Sequence, residues 1–168
     1  MSDLIFTGRI WRFGDNFDTD QIMPGYALSL PRQKIRDQLL KGSARADIAA
    51  QLKPGDIIVA GNNFGCGSSR EQAPMGLKDA GIAVIVARSF GRIFRRNAVN
   101  LGLAVLEAEI DARVEDGDTV TVDVRAGLII LSGGTIVHGR IPGLSVLATL
   151  AAGGLINKVR RELAEQKS

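Results

Sequence analysis

The chain has 168 residues, a size for one domain with at most a small appendage. Apolar residues make up 45% and charged residues 23%, which provides for a core and is ordinary for a soluble protein. The net charge of +3 is mild, no window approaches the roughly 18 apolar residues of a membrane helix, and residues 1–13 lack the basic start and apolar run of a secretion signal; a soluble, cytoplasmic chain is expected.

Residues 4–13 are predicted as a strand, with Ile5, Ile10, Trp11 and Phe13 apolar. A polar turn region follows over Gly14 to Asp20, and residues 21–31, with two prolines and a glycine, are predicted irregular. Pro31 is placed to open a helix running to about Leu40, and a second short helix is predicted from Ala44 to Leu52. The middle of the chain has a βαβ rhythm: an apolar strand over 56–60, a helix over 69–80, a strand over 82–87, a helix over 89–100, and a strand at 103–106. Continuous apolar strands separated by helices predict a parallel sheet with both faces covered. Beyond residue 118 the pattern changes. Three short runs split by Ala126-Gly127 and Gly133-Gly134 predict a small antiparallel meander, and two helices are predicted over 143–151 and 155–166.

The segment between the first strand and helix of that middle region is the most informative. It reads Gly61-Asn62-Asn63-Phe64-Gly65-Cys66-Gly67-Ser68-Ser69-Arg70-Glu71. A glycine-rich loop entering a helix presents unpaired N–H groups to anions, and Arg70 adds a planar fork suited to a carboxylate or phosphate. By residue type alone, Ser68 and Glu71 form a capping box, Ser-x-x-Glu, and this is the ordinary reading of the pair. Pro74 complicates it and implies a helix that starts later or kinks. The loop lacks the third glycine of a dinucleotide fingerprint and the lysine of a phosphate-binding P-loop. Cys66 is expected to be a packed small residue rather than a nucleophile, and His138 a structural residue.

One cysteine and one histidine cannot assemble a zinc or iron–sulfur site, so no metal is expected on this chain. The basic cluster Arg88 to Arg96 interleaves phenylalanines with arginines and permits an RNA-binding reading. No basic tail or recognised motif accompanies it. A helix with Phe90, Ile93, Phe94 and Asn97 inward and its arginines outward is the expected form.

The segment Asn63 to Glu71 closely resembles the signature of the aconitase swivel domain, in the stand-alone form of the 3-isopropylmalate dehydratase small-subunit family. Asp15-Asn16-Phe17-Asp18-Thr19-Asp20-Gln21-Ile22-Met23-Pro24 resembles that family's Asp-x-x-x-Thr-Asp-x-Ile-x-Pro element. Ser89-Phe90-Gly91-Arg92-Ile93 is similar to its Ser-Phe-x-Arg-Ile helix start, and Ala152-Gly153-Gly154 to its C-terminal Ala-Gly-Gly. The resemblance spans essentially the whole chain. It implies one swivel-type α/β domain over 1–168, a β/β/α unit with a parallel-rich central sheet and a small antiparallel C-terminal part. It also implies a partner: a large subunit carrying a [4Fe–4S] cluster on its own cysteines, with none bound here. The implied reaction is dehydration and rehydration of a small dicarboxylate hydroxy acid. In it Ser68 is the catalytic base, Asp20 a second catalytic residue placed to orient a group on the partner subunit, and Ser69 and Arg70 the grip on substrate carboxylates, with Thr19 beside them.

The loop after Pro24 is where the resemblance places substrate choice. Here it reads Gly25-Tyr26-Ala27-Leu28-Ser29-Leu30, without a charge, so Tyr26 and Leu28 are expected to meet an alkyl substituent. 3-Isopropylmalate is the first expectation; 2-methylmalate, 2,3-dimethylmalate and a tricarboxylate remain open. Arg32 is the residue that could reach back and favour a tricarboxylate. Gln72, where a histidine is usual, Arg95, where an aromatic is frequent, and the form of the 26–29 loop depart from the family pattern. A non-catalytic anion- or RNA-binding module is the distant alternative.

Overall fold

The computed structural model describes residues 3–167; the outermost positions of the expected 1–168 unit, 1, 2 and 168, lie outside the described residues. Seven strands form one mixed sheet: β1 (Ile5–Arg12), β2 (Ile57–Ala60), β3 (Val84–Ala87), β4 (Ala104–Glu107), β5 (Thr119–Asp123), β6 (Leu128–Ile130) and β7 (Ile136–His138). The spatial order is β4-β3-β2-β1-β5-β6-β7. β1 to β4 are parallel, with Ile10 opposite Ile57, Ile57 opposite Val84 and Val84 opposite Ala104. Every residue of β2 and β3 is buried, as parallel strands covered on both faces must be.

The parallel and antiparallel parts are one sheet because β1 serves both. Its last residues, Ile10 to Arg12, pair with β2, while Ile5 to Arg9 pair with β5. Just before the handover, at Gly8, a Cβ would stand 2.0 Å from the carbonyl oxygen of Gly55; only glycine lets β1 and the turn before β2 approach so closely. Arg140, just past β7, donates its N–H to the Glu107 carbonyl at the end of β4, 2.8 Å away. The two outermost strands of the order thus meet through their flanking residues. The mixed α/β architecture, parallel at β1 to β4 with a small antiparallel part after it, is the one expected.

Asp56, immediately before β2, is 4% exposed. It accepts hydrogen bonds from Arg9 and the Trp11 indole, each at 2.8 Å, and from the Lys53 N–H at 2.9 Å, tying β1 to the turn that starts β2. Burial alone pushes its carboxyl up. The hydrogen bonds from Arg9, Lys53 and Trp11, with the Arg9 charge, outweigh this and hold it below the ordinary carboxylate range.

The helices are α1 (Thr19–Ile22), α2 (Arg32–Ile35), α3 (Gln72–Asp79), α4 (Arg92–Leu101), α5 (Leu144–Ala151) and α6 (Leu155–Glu165). Two expectations are corrected. The helix opened by Pro31 is regular for four residues only, then tightens to a 3-10 turn over Arg36–Gln38. It stops because Leu40 swings to a φ of 63° and donates its N–H to the Ile22 carbonyl while Leu39 and Leu40 bury their side chains. The segment predicted as a helix from Ala44 is a 3-10 helix over Ala46–Gln51. Among the described residues no helix is long and apolar enough to cross a membrane.

Candidate active site

The loop that follows β2 rests on an aromatic floor. Five of the six phenylalanines, Phe13, Phe17, Phe64, Phe90 and Phe94, form one cluster. Phe64 is 1% exposed and stacks on Phe17 at 5.9 Å, with the edge of Phe94 5.4 Å away. Backbone hydrogen bonds pin the loop on both sides. Gly65 donates to Phe17 O, Phe64 to Ser89 O and Gly91 to Phe64 O, while Thr19 donates to Cys66 O. Gly65 has a φ of 77°, and a Cβ there would meet the Phe94 ring at 2.2 Å, so both conformation and space demand glycine.

This pinning delivers Ser68 to Thr19. Asp18 caps α1, its carboxylate accepting from the Gln21 N–H at 2.8 Å. The cap sets two consecutive residues on opposite sides: Thr19 is 1% exposed, whereas Asp20 points to solvent. Thr19 Oγ1 accepts the Ser68 N–H at 3.1 Å and lies 3.0 Å from Ser68 Oγ. Having accepted from the backbone, the threonine retains its own hydrogen to donate to Ser68 Oγ. Gly67, with a φ of 105°, leaves room for this contact. Ser68 itself is exposed beside a cleft of about 210 Å³ between residues 65–68 and 91–94.

The capping-box reading of Ser68 is corrected here. α3 begins at Gln72 with Glu71 as its N-cap and no side-chain cap. Starting there puts Pro74 in the first turn, where an N–H would have no helical partner anyway. Ser68 is thus free of the helix end and belongs to Thr19.

Arg70 makes an ion pair with Asp20 and donates to the Met23 carbonyl at 3.3 Å. Its side chain is 19% exposed and that of Asp20 67%, so the carboxylate covers the guanidinium from the solvent side. A Cβ on Gly25 would stand 3.3 Å from Arg70 Nη2, so the 25–29 segment starts against Arg70. Tyr26 and Leu28 are exposed on it, and the Tyr26 hydroxyl donates to Gln38 Oε1 at 3.0 Å. Ser69 is exposed. Arg32 is not brought to the site: its guanidinium reaches Asp79 at 3.2 Å, at the far end of α3 from Arg70. Eight helical residues separate those ends by about 12 Å.

Cys66 is half-buried, and burial together with the nearby Asp18 charge pushes its thiol up, away from thiolate chemistry. His138 is exposed on β7. Reading the sequence missed Met23 and Gly25 as neighbours of Arg70, and the aromatic floor; the spacing of Phe13 and Phe17 carried only a faint sign of the latter.

Residues 33–110 match the family model described as the aconitase C-terminal domain. Over 155 residues the chain is 50% identical to the methanogen homoaconitase small subunit of Methanothermobacter thermautotrophicus, covering 91% of this chain and 89% of that one. It is 43% identical to the isopropylmalate/citramalate isomerase small subunit of Methanocaldococcus jannaschii, covering 97% and 98%. The chain belongs to the 3-isopropylmalate dehydratase small-subunit family. A crystal structure of 3-isopropylmalate dehydratase from Methanocaldococcus jannaschii superposes with a TM-score of 0.89 at 40% identity, covering 97% of this chain and 98% of that one. The 3-isopropylmalate dehydratase small subunit of Syntrophus aciditrophicus is 44% identical, covering 94% and 97%. The family's activity is that of a hydro-lyase, and its members are small subunits, named for their place beside a larger one.

Proposed function

We propose that this chain is a single swivel-type unit forming half the active site of a cytoplasmic hydro-lyase that isomerises an alkyl-substituted malate, 3-isopropylmalate first. The observation that carries this is the exposed Ser68 hydroxyl, 3.0 Å from the buried hydroxyl of Thr19 and two residues before Arg70. Ser68 Oγ, its own proton having gone to solvent, takes the proton from the carbon next to a substrate carboxylate as the hydroxyl leaves the neighbouring carbon, and that hydroxyl is released as water with the proton Ser68 has gained. A free serine is far too weak an acid to act as an alkoxide at neutral pH. The Thr19 hydroxyl, 3.0 Å from Oγ with its hydrogen available to donate, stabilises that alkoxide. Arg70 and Ser69 hold substrate carboxylates. Asp20 orients the Arg70 fork and faces the partner subunit.

The residues present do not fit an iron–sulfur cluster: there is one cysteine, and no group of three His, Cys, Asp or Glu among the described residues is placed to hold a metal. The [4Fe–4S] cluster implied by the family belongs on the large subunit, and the chemistry assigned here is that of this chain's own side chains.

The relatives' names divide over substrate, from homoaconitase to isopropylmalate and citramalate. Two observations favour an alkyl group. The 25–30 segment beside Arg70 has no charge, and leaving a third carboxylate unpaired against it is costly. Arg32, the residue able to pair with that carboxylate, is engaged by Asp79. The second reading is a tricarboxylate, supported by the 50% identity to a homoaconitase small subunit and by the weakness of an exposed pair such as Arg32–Asp79.

The test is to reconstitute the chain with its large subunit and compare kcat/KM for 3-isopropylmalate, 2-methylmalate and homoaconitate. Alkyl malates are expected to lead; a preference for homoaconitate installs the second reading. Ser68→Ala is expected to lower kcat about 10²–10⁴-fold with assembly intact. Full activity in that variant removes Ser68 from the chemistry.

A further inference from the structure

A second cleft, of about 490 Å³, lies where α4, α5 and α6 meet. Arg92, Arg95, Arg96 and Lys158 line it around an apolar floor that includes Val99 and Leu155. Among the described residues Arg92, Arg95 and Arg96 make no ion pair. The cleft's own carboxylate, Glu107, is taken by Arg140 at 3.3 Å. Three uncompensated guanidinium groups close together repel one another, and acidic groups supplied from outside relieve that repulsion.

Beside this cleft stands α6. None of its eleven residues is buried. Leu155, Ile156, Val159 and Leu163 are 41, 68, 42 and 52% exposed, and their spacing puts them on one stripe. At the base of the helix Gly154 donates its N–H to Thr149 and lies against residues 100–102. Eleven residues are marginal as a helix without packing, and a bare apolar stripe of this length marks a surface that another molecule covers.

Position identifies that molecule. Arg92 lines both this cleft and the small cleft at Ser68, and Gly91 is in contact with Gly65 and Cys66, so the basic cleft and the serine loop form one continuous surface. We propose that the face formed by α4, α5 and α6 docks the large subunit, which places acidic side chains against Arg92, Arg95 and Arg96 and an apolar patch over the stripe of α6. The proposal rests on reading Ser68 as half of a shared site, because whatever completes that site must also lie over the ground beside it.

The test measures the dissociation constant between the full chain and its large subunit. Arg95→Glu/Arg96→Glu and, separately, Val159→Asp/Leu163→Asp are each expected to weaken binding at least about tenfold. The arginine pair should lose the larger share of its effect in high salt. Melting curves of the isolated variants verify folding, and a readout without substitution accompanies them: amides of residues 155–165 should gain hydrogen-exchange protection in the complex. Unchanged dissociation constants and unchanged protection in a wild-type complex that turns over substrate overturn the docking face and leave the functional reading standing. Self-association of the chain through α6, or RNA binding lost in the arginine variant with subunit binding intact, also overturns it. If the wild-type chain neither binds the large subunit nor supports turnover, the functional reading falls as well.

Discussion

Thr19 separates a serine that caps a helix from a serine that can hold negative charge. Its hydroxyl is buried, takes the Ser68 N–H, and has a hydrogen left for Ser68 Oγ. Thr19→Val keeps the shape and removes both bonds. The expected result with the assembled enzyme is a kcat lowered about 10- to 100-fold, a nearly constant KM, and an alkaline shift in the pH profile of kcat. Stability should fall by about 1–3 kcal/mol for the unpaired N–H. Thr19→Ser restores the hydroxyl and should recover most of kcat. Wild-type kcat in Thr19→Val reduces the residue to a loop anchor. Residue types at 68–71 pointed to a capping box because that pattern is local. The actual partner lies 49 positions away, and no window of sequence contains both. The candidate residues themselves were legible, as was the uncharged loop at 25–30; their mutual contacts were not. Arg32 illustrates the limit, since its partner Asp79 was set by how α2 lies against α3.

Elements were legible where burial is uniform and obscure where a tertiary bond sets the boundary. β2, β3 and β4 are short apolar runs between glycine turns, and they form where such runs predict. The 31–52 stretch broke differently because Leu40 turns back to the Ile22 carbonyl, a contact without a local signature. Nor does any local pattern show that β1 joins the parallel strands to the meander. Asp56 is the polar tie at that junction, and it makes stability pH-dependent with a definite sign. Its folded-state carboxyl lies below the unfolded value of roughly 3.9, so its contribution is fully present above that value and is lost as pH falls through the folded one. In urea titrations, Asp56→Asn should cost about 2–4 kcal/mol at pH 7, since Arg9 loses its carboxylate partner. The deficit should narrow as the wild type is acidified below about pH 4. A deficit that stays constant to pH 3 shows that the carboxylate charge has no part in the tie.

At the scale of the molecule, the proposed function asks this chain for a base and a carboxylate grip, and asks the large subunit to hold the cluster. Cys66 sits on the glycine-rich loop after β2, yet burial and Asp18 push its thiol up, which opposes the thiolate form a metal requires. His138 stands exposed on β7, the last strand of the meander. The two subunits should therefore fail separately. Brief oxygen exposure of the assembled enzyme, followed by subunit separation and exchange, tests this. Turnover is expected to return when fresh large subunit meets the exposed small chain and to stay lost in the reverse pairing. The small chain's melting temperature should not respond to an iron chelator, and purified alone it should lack the visible absorption of an iron–sulfur chromophore. Recovery from fresh small chain alone places the oxygen-sensitive component here, and then Cys66 must be a ligand despite its surroundings. Recovery from fresh large subunit alone leaves this chain with the part its side chains can perform: moving one proton at Ser68 Oγ and holding the acid it comes from.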